Sequence, residues 1–213
     1  DPKSLVNEFK KPKKKKKILI TIDDGFKSFY NNAWPYLKEN KIPFIIFIST
    51  EAIGKKGYMN WIQIKEIEEY DFVTIGNHSH SHDYLVNFSF EEFKKDINKS
   101  IKIFKTNLGY NPIFFSYPFG EWNLNQKKFI SNYFEFAFGQ HSGVIDLNKD
   151  RYELPRFPIN EKYGDLKRFK FLIDLLPLQY KSLVPEEKFI SEKNNPPEMI
   201  VEFFSNQTNI KNI

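Results

Sequence analysis

The stretch Ile18-Leu19-Ile20-Thr21-Ile22-Asp23-Asp24-Gly25 decides how the chain is read. Its apolar half, residues 18–22, has the composition of a buried strand. Gly25 breaks that strand, so Asp23 and Asp24 fall at its carboxyl end, where parallel-sheet proteins gather their ligands. Two adjacent acids there are costly unless a cation or an arginine sits beside one of them.

Further along, His78-Ser79-His80-Ser81-His82 supplies three of the four histidines in the chain. The i, i+4 spacing predicts that His78 and His82 share one face of a helical turn, as metal-binding pairs often do. One Asp with two His makes a three-ligand divalent site with positions left open for water and substrate. The other Asp is then free to act as a base. His80 points away from the shared face and is not read as a ligand. Ser79 and Ser81 are candidates to hold neighbouring backbone or ring nitrogens.

Around these motifs, strand-like and helix-like segments alternate, as expected of βα repeats around a parallel sheet or barrel. Strands are expected at 43–49, 72–75, 113–117 and 134–138, and helices at 27–40, 61–70, 89–108, 124–132 and 165–176. Ser89, with Glu92 three residues on, is the expected N-cap of the long helix. The acids, the histidines and Tyr117-Pro118-Phe119 all follow strands, so one rim collects them. Residues 1–16, with the lysine run that ends at Lys17, are expected to be an exposed basic leader. Residues 17–180 form the domain, and 181–213 are a C-terminal extension in which Asn194-Asn195-Pro196-Pro197 acts as a linker. The chain is expected to continue past Ile213, leading to an accessory domain.

The T-x-D-D-G and H-S-x-x-H pair resembles the first two motifs of the polysaccharide deacetylases, the NodB-homology family, also called carbohydrate esterase family four. Ser116-Tyr117-Pro118-Phe119-Gly120 resembles the third motif. Leu154-Pro155-Arg156-Phe157-Pro158 resembles a segment of the exopolysaccharide-deacetylating branch. The resemblance runs from about Lys17 to about Gly164. It implies an α/β fold, specifically a distorted, seven-stranded (β/α) barrel of NodB-homology type. It also implies a metal-dependent hydrolase that removes N-acetyl groups from an N-acetylglucosamine-containing polysaccharide, using a water activated by Zn²⁺, with Co²⁺ or Ni²⁺ as alternatives.

By the same resemblance Asp24, His78 and His82 are the metal ligands and Asp23 is the catalytic base, which fits the lower basicity of a metal-bound carboxylate. Phe119 offers its backbone N–H to the oxyanion. Tyr117, Pro118, Trp61 and Trp122, with the Phe119 side chain, are candidates for a sugar-binding wall. Two departures stand out. Ser116 replaces an arginine that many members pair with the catalytic Asp, and Arg156 is the proposed substitute. No histidine follows His141, so the general acid is His141, or Asp23 acting as a shuttle, or a group outside these 213 residues.

Composition narrows the remaining classes. The net charge of +5 owes much to the lysine run, which is either a solvated segment or a landing site for an anionic glycan. No recognition motif accompanies it, which speaks against nucleic acid. There is no cysteine, so disulfides are excluded. No apolar run reaches the ~18–20 residues of a membrane span. The opening Asp1 implies a processed or trimmed start, compatible with a secreted, periplasmic or envelope location. An acetylxylan-type esterase, a noncatalytic glycan-binding module and a non-haem iron oxygenase are the competing readings. The sequence carries no signature of oligomeric state.

Overall fold

The computed structural model of the chain describes residues 1–11, 16–190 and 192–205. Five short parallel strands form its centre: β1 (Ile20–Ile22), β2 (Phe44–Ile48), β3 (Val73–Asn77), β4 (Phe114–Ser116) and β5 (Phe136–Phe138). They are hydrogen-bonded in chain order into a curled half-barrel. Every residue of β2 and β3 is buried, as expected of strands covered on both faces.

Alternation along the strands sorts the core into layers. Phe44, Ile46 and Ile48 pack outward with Trp34, Ile64, Ile67 and Phe104 of the surrounding helices. Ile45 and Phe47 point inward with Phe114, Phe136, Phe138 and Leu154. The abundant phenylalanine is therefore largely core filling. The helices are α1 (Leu5–Lys10), α2 (Trp34–Glu39), α3 (Trp61–Glu68), α4 (Phe90–Leu108), α5 (Leu124–Ile130) and α6 (Leu166–Leu172). Pro35 lies in the first turn of α2 and cannot donate a backbone N–H, and the chain enters that helix through a π-helical turn, Phe29–Ala33.

α4 matters most for the site. Ser89 and Glu92 cap it reciprocally, as the sequence predicts, and Gly109 ends it in a left-handed conformation (φ 84°). Its buried stripe runs Phe93, Asp96, Ile97, Ser100, Ile101, Phe104. Two of those six are polar, and both face the histidine loop.

Three expectations are corrected. The described residues do not make seven strands in one barrel. Residues 151–156 run beside β5 through a single bridge, Phe138 to Leu154, and the next N–H on that side, that of Arg156, goes to the His141 carbonyl instead of extending the ladder. The last two strands, β6 (Ser182–Val184) and β7 (Ile200–Glu202), form their own antiparallel ribbon. The Asn194–Pro197 segment lies between these two strands instead of linking domains. Nor is the start a solvated leader: α1 sets Leu5, Val6 and Phe9 against the inner core, and the Phe9 ring sits 5.2 Å from that of Phe136. Residues 12–15 of the lysine run lie outside the described residues.

Gly76 fixes the packing beneath the site. A Cβ at this position would lie 2.3 Å from Cδ1 and 2.5 Å from Cε1 of Phe47, whose ring crosses the inner face of β3. Gly76→Ala is expected to destabilise the fold by about 2 kcal/mol, lowering the melting temperature by roughly 4–8 °C. Thermal unfolding followed by circular dichroism checks this, and an unchanged midpoint refutes it.

Candidate active site

The acids leave β1 through a left-handed turn, Asp24 at φ 75° and Gly25 at φ 79°. That turn aims both carboxylates into the mouth of the half-barrel. The histidines follow β3 directly, but not on a helical turn as the spacing suggested. Ser79 (φ 68°) and His82 (φ 58°) are both left-handed, and the loop curls between them.

Ser79 and Ser81, as expected, help to hold this curl, together with Asn77 and Asp96, to which the sequence reading gave no role. Asn77 Oδ1 accepts the Ser79 N–H at 2.8 Å, while its Nδ2 donates to Ser100 Oγ on α4. The buried Asp96 accepts the N–H groups of His80 and Ser81 at 2.8 and 2.9 Å. Ser79 Oγ accepts the His82 N–H at 3.1 Å, and Ser81 Oγ accepts that of Asp83. His80 is buried with Nδ1 2.9 Å from Thr50 Oγ1, and so supports the loop from behind.

The curl brings three donor atoms together. His82 Nε2 lies 3.0 Å from Asp24 Oδ1 and 3.2 Å from His78 Nε2, and His78 Nε2 is 3.5 Å from the same carboxylate oxygen. Metal–ligand bonds of about 2.0–2.1 Å in a tetrahedron set ligand atoms about 3.3 Å apart. The observed spacings match. Among the described residues, Asp24, His78 and His82 form the cluster able to hold a metal ion. Asp24 Oδ1 is buried and receives no hydrogen bond, although His82 lies close, so an acceptor is left for a cation. His78 Nδ1–H donates to the Ser116 carbonyl at 2.7 Å, which leaves its Nε2 lone pair facing the cluster.

The charges favour the same assignment. Burial pushes the His78 imidazole below its usual protonation range, against the pull of Asp23. His82 is raised, chiefly by its contact with the Asp24 carboxylate and against burial. Burial pushes Asp23 upward, but His78 and then Arg156 oppose it and hold the carboxyl below the usual range. Because His78 is neutral at pH 7, Arg156 is the permanent charge in that balance.

Arg156 makes a fork on Asp23, Nη1 to Oδ1 at 2.8 Å and Nη2 to Oδ2 at 2.9 Å. Its other contacts are Nη1 to Thr21 Oγ1 (3.3 Å), Nη2 to Ser116 Oγ (2.9 Å) and Nε to the Gly139 carbonyl (2.7 Å). All five guanidinium N–H groups are thereby used. The serine that stands in place of the third-motif arginine is thus a partner of the arginine supplied from residue 156. His78 Nε2 is 4.0 Å from Asp23 Oδ2, so the forked acid borders the cluster without joining it.

The remaining expectations divide. Pro118 is buried, and Phe119 stands beside the cluster with its ring 4.9 Å from that of His82. His141 lies in the loop after β5, its carbonyl accepting the Arg156 N–H at 3.0 Å. Partial burial and the Lys188 charge lower its imidazole pKa, and it is not part of the cluster. Three aromatic expectations are corrected. Tyr117 is buried and donates its hydroxyl to the Tyr152 carbonyl. Trp122 is buried under Lys127, whose Nζ is 4.9 Å from the ring. Trp61 packs edge-on to Phe104, on the outer face of the sheet. Tyr117 and Trp122 offer no free face to a sugar, and Trp61 is half-buried against the outer core cluster. Tyr84, which the sequence gave no reason to choose, is exposed and stacked on Phe119.

The role of Asp96 is open to test. Asp96→Ala is expected to weaken Zn²⁺ binding by about tenfold to a hundredfold, because the N–H groups that set the curl lose their acceptor. Calorimetric titration of the metal-stripped protein measures this. Affinity equal to that of the wild type would show that the loop holds itself.

Known proteins with the same features can now be set beside this geometry. A family model described as polysaccharide deacetylase matches residues 10–133. The poly-beta-1,6-N-acetyl-D-glucosamine N-deacetylase of Staphylococcus aureus (strain NCTC 8325 / PS 47) is 28% identical over 166 residues, which cover 69% of this chain and 56% of that protein. The chain thus spans little more than half the length of that relative. Among solved structures, Streptococcus pyogenes deacetylase PplD in complex with acetate superposes with a TM-score of 0.75 at 19% identity, covering 82% of this chain and 79% of that one. IcaB from Ammonifex degensii gives 0.63 at 24% identity, covering 74% and 72%. At these identities the two structures establish the fold. With the family model spanning more than half of its residues, the chain belongs to the polysaccharide deacetylase family.

Proposed function

We propose that this chain is the catalytic part of a hydrolase that releases acetate from N-acetylglucosamine residues of a polymeric glycan. The substrate class is that named for the Staphylococcus aureus relative. A polymer of this kind lies outside the cell, which favours a secreted or envelope location. One observation carries the reading: a carboxylate forked by arginine, Asp23, stands 4.0 Å from an imidazole of a separate three-ligand cluster. A mere binding module has no use for that second, unliganded acid.

Two imidazoles and one carboxylate suit zinc best, with cobalt or nickel as substitutes. Such an ion, when bound, lowers the pKa of a coordinated water and polarises the acetyl carbonyl. The residues of the chain supply the rest. Asp23, kept ionised by Arg156, takes the proton of the attacking water. The Phe119 N–H is the donor for the carbonyl oxygen as it gains charge. The carbon–nitrogen bond then breaks, giving acetate and a free amine, which must receive a proton. Partial burial and Lys188 lower the His141 pKa, which disfavours the charged imidazole as the donor. Asp23, having accepted one, is the group that returns it.

Asp23→Asn is expected to lower kcat about a thousandfold while leaving Zn²⁺ affinity within about threefold. Acetate release from N-acetylglucosamine oligomers, run beside metal titration, tests this. Loss of the metal instead would mean that the two acids have exchanged duties. Arg156→Lys keeps the charge but not the fork, and is expected to lower kcat by roughly tenfold to a hundredfold with metal binding retained. Acetylated xylan in the same assay separates amide from ester substrates: release from xylan alone overturns the N-acetyl assignment.

A further inference from the structure

Among the described residues, two aromatic pairs with an exposed member lie near the acids and the histidines, and their settings differ. Phe26 and Tyr58 stack at 5.0 Å with 27° between planes, but they sit on an antiparallel bridge. Lys27 N–H donates to the Gly57 carbonyl and Met59 N–H to that of Gly25, so this pair clamps the loop that carries the acids. Its placement has a folding explanation.

Tyr84 and Phe119 do not share that explanation. Their ring centroids are 3.9 Å apart and their planes differ by 1°, yet Tyr84 is 51% and Phe119 39% exposed. Phe119 holds a left-handed backbone (φ 57°) that projects its ring out of the turn, while its neighbours Tyr117 and Pro118 are buried. Such a conformation costs a non-glycine residue free energy, and sequestering an apolar ring does not require it. The Phe119 ring also lies 4.9 Å from that of His82, tilted by 59°. Phe119 thus touches both His82 and Tyr84, and the half-exposed Tyr84 has one ring face stacked on Phe119.

The mount of Tyr84 is rigid. Leu85 and Val86, next in the chain, are buried, and the Leu85 carbonyl accepts from Gln126 Nε2 at 2.6 Å. Asn87 N–H donates back to the Tyr84 carbonyl at 3.0 Å. The ring is thus fixed two residues from a cluster donor, with one flat face unused. A rigid aromatic face of this kind offers large contact area at little entropic cost. Its chemical complement is the patch of axial C–H bonds on one face of a β-pyranose.

We infer that Tyr84, backed by Phe119, is the stacking shelf for a pyranose ring of the glycan next to the acetylated residue undergoing hydrolysis. This rests on the deacetylase reading above and adds a residue that sets affinity for a chain over a single sugar. Phe119 serves the shelf as a backing ring, and its N–H role is separate.

The test uses the zinc-loaded protein and N-acetylglucosamine oligomers of one and five residues. Tyr84→Ala is expected to raise KM for the pentamer about tenfold with kcat changed less than twofold, an effect of the size of one stacking contact. Tyr84→Phe and Tyr84→Trp are expected to restore KM, whereas Tyr84→Leu, with bulk but no π face, is not. The monosaccharide is expected to show little discrimination among the variants. A fall in kcat at unchanged KM would overturn the shelf and make Tyr84 a support for the Phe119 turn. A loss of Zn²⁺ affinity in Tyr84→Ala would overturn it in favour of a prop for His82. Binding is measured separately by titrating Asp23→Asn protein with the pentamer, with and without Tyr84→Ala. Equal affinity overturns the shelf whatever the turnover. A tenfold loss there, with no acetate released by the wild type from any glycan, sustains the shelf and defeats the deacetylase reading.

Discussion

The fork between Arg156 and Asp23 closes an otherwise open structure. β1 and β5 are the two edges of the five-stranded sheet, and no ladder joins them. Arg156 reaches Thr21 and Asp23 at the end of one edge and the Gly139 carbonyl just past the other. Its remaining contact, Ser116, ends β4. A single guanidinium thus ties three strand ends across the mouth of the half-barrel. A desolvated ion pair gains little net stability on its own, but removing one partner leaves a buried charge, at a cost of roughly 3–5 kcal/mol. Here the same contacts that close the sheet keep an acid ionised beside the histidines.

That arrangement divides two adjacent carboxylates by environment. Asp23 is neutralised within the protein. Asp24 has no arginine partner: its Oδ1 faces the Nε2 atoms of His78 and His82 at 3.5 and 3.0 Å. The unmatched acceptor at Asp24 Oδ1 is what this division leaves over. A divalent cation would satisfy all three ligand atoms at once, and since such ligands bind deprotonated, its affinity would fall as the pH falls. Neither acid could take the other's place without losing either the fork or the convergence.

Much of this was legible in the sequence because the motifs sit at strand ends. An apolar run followed by Asp-Asp-Gly, and another followed by the histidines, placed both groups on one rim before any coordinates. The role of Arg156 followed from the resemblance, since Ser116 stands where many members carry the arginine that pairs with the catalytic acid, and a fork on that acid is what arginine supplies. What failed was orientation. Strand parity sends Ser116 toward the site and Phe115 and Tyr117 into the opposite cluster, so a sugar wall at Tyr117 was incompatible with a site contact at Ser116. Asp96 carries a sequence signal, being a charged residue on the apolar stripe of an amphipathic helix. α1 was hidden by the lysines that follow it, although Leu5, Val6 and Phe9 have helical spacing. Tyr84 left no signal, since nothing local in sequence distinguishes an exposed stack from an ordinary loop aromatic.

Backbone strain shows where the fold has been bent to serve the site. Among the described residues, the non-glycine positions with positive φ are Asp24, Lys41, Ser79, His82 and Phe119. Four of these five line the mouth, and each such conformation costs on the order of 1 kcal/mol. Strain of this kind persists only where the surroundings over-determine it. Asn77, Asp96 and Ser79 supply three side-chain acceptors to the histidine loop, and these are buried or half-buried groups whose bonds would be lost if the curl relaxed. The cost of leaving Asp96 buried without its two donors exceeds the strain it offsets. The histidine curl is therefore preformed by protein hydrogen bonds, and a metal entering it would meet donors already within about 0.3 Å of tetrahedral spacing.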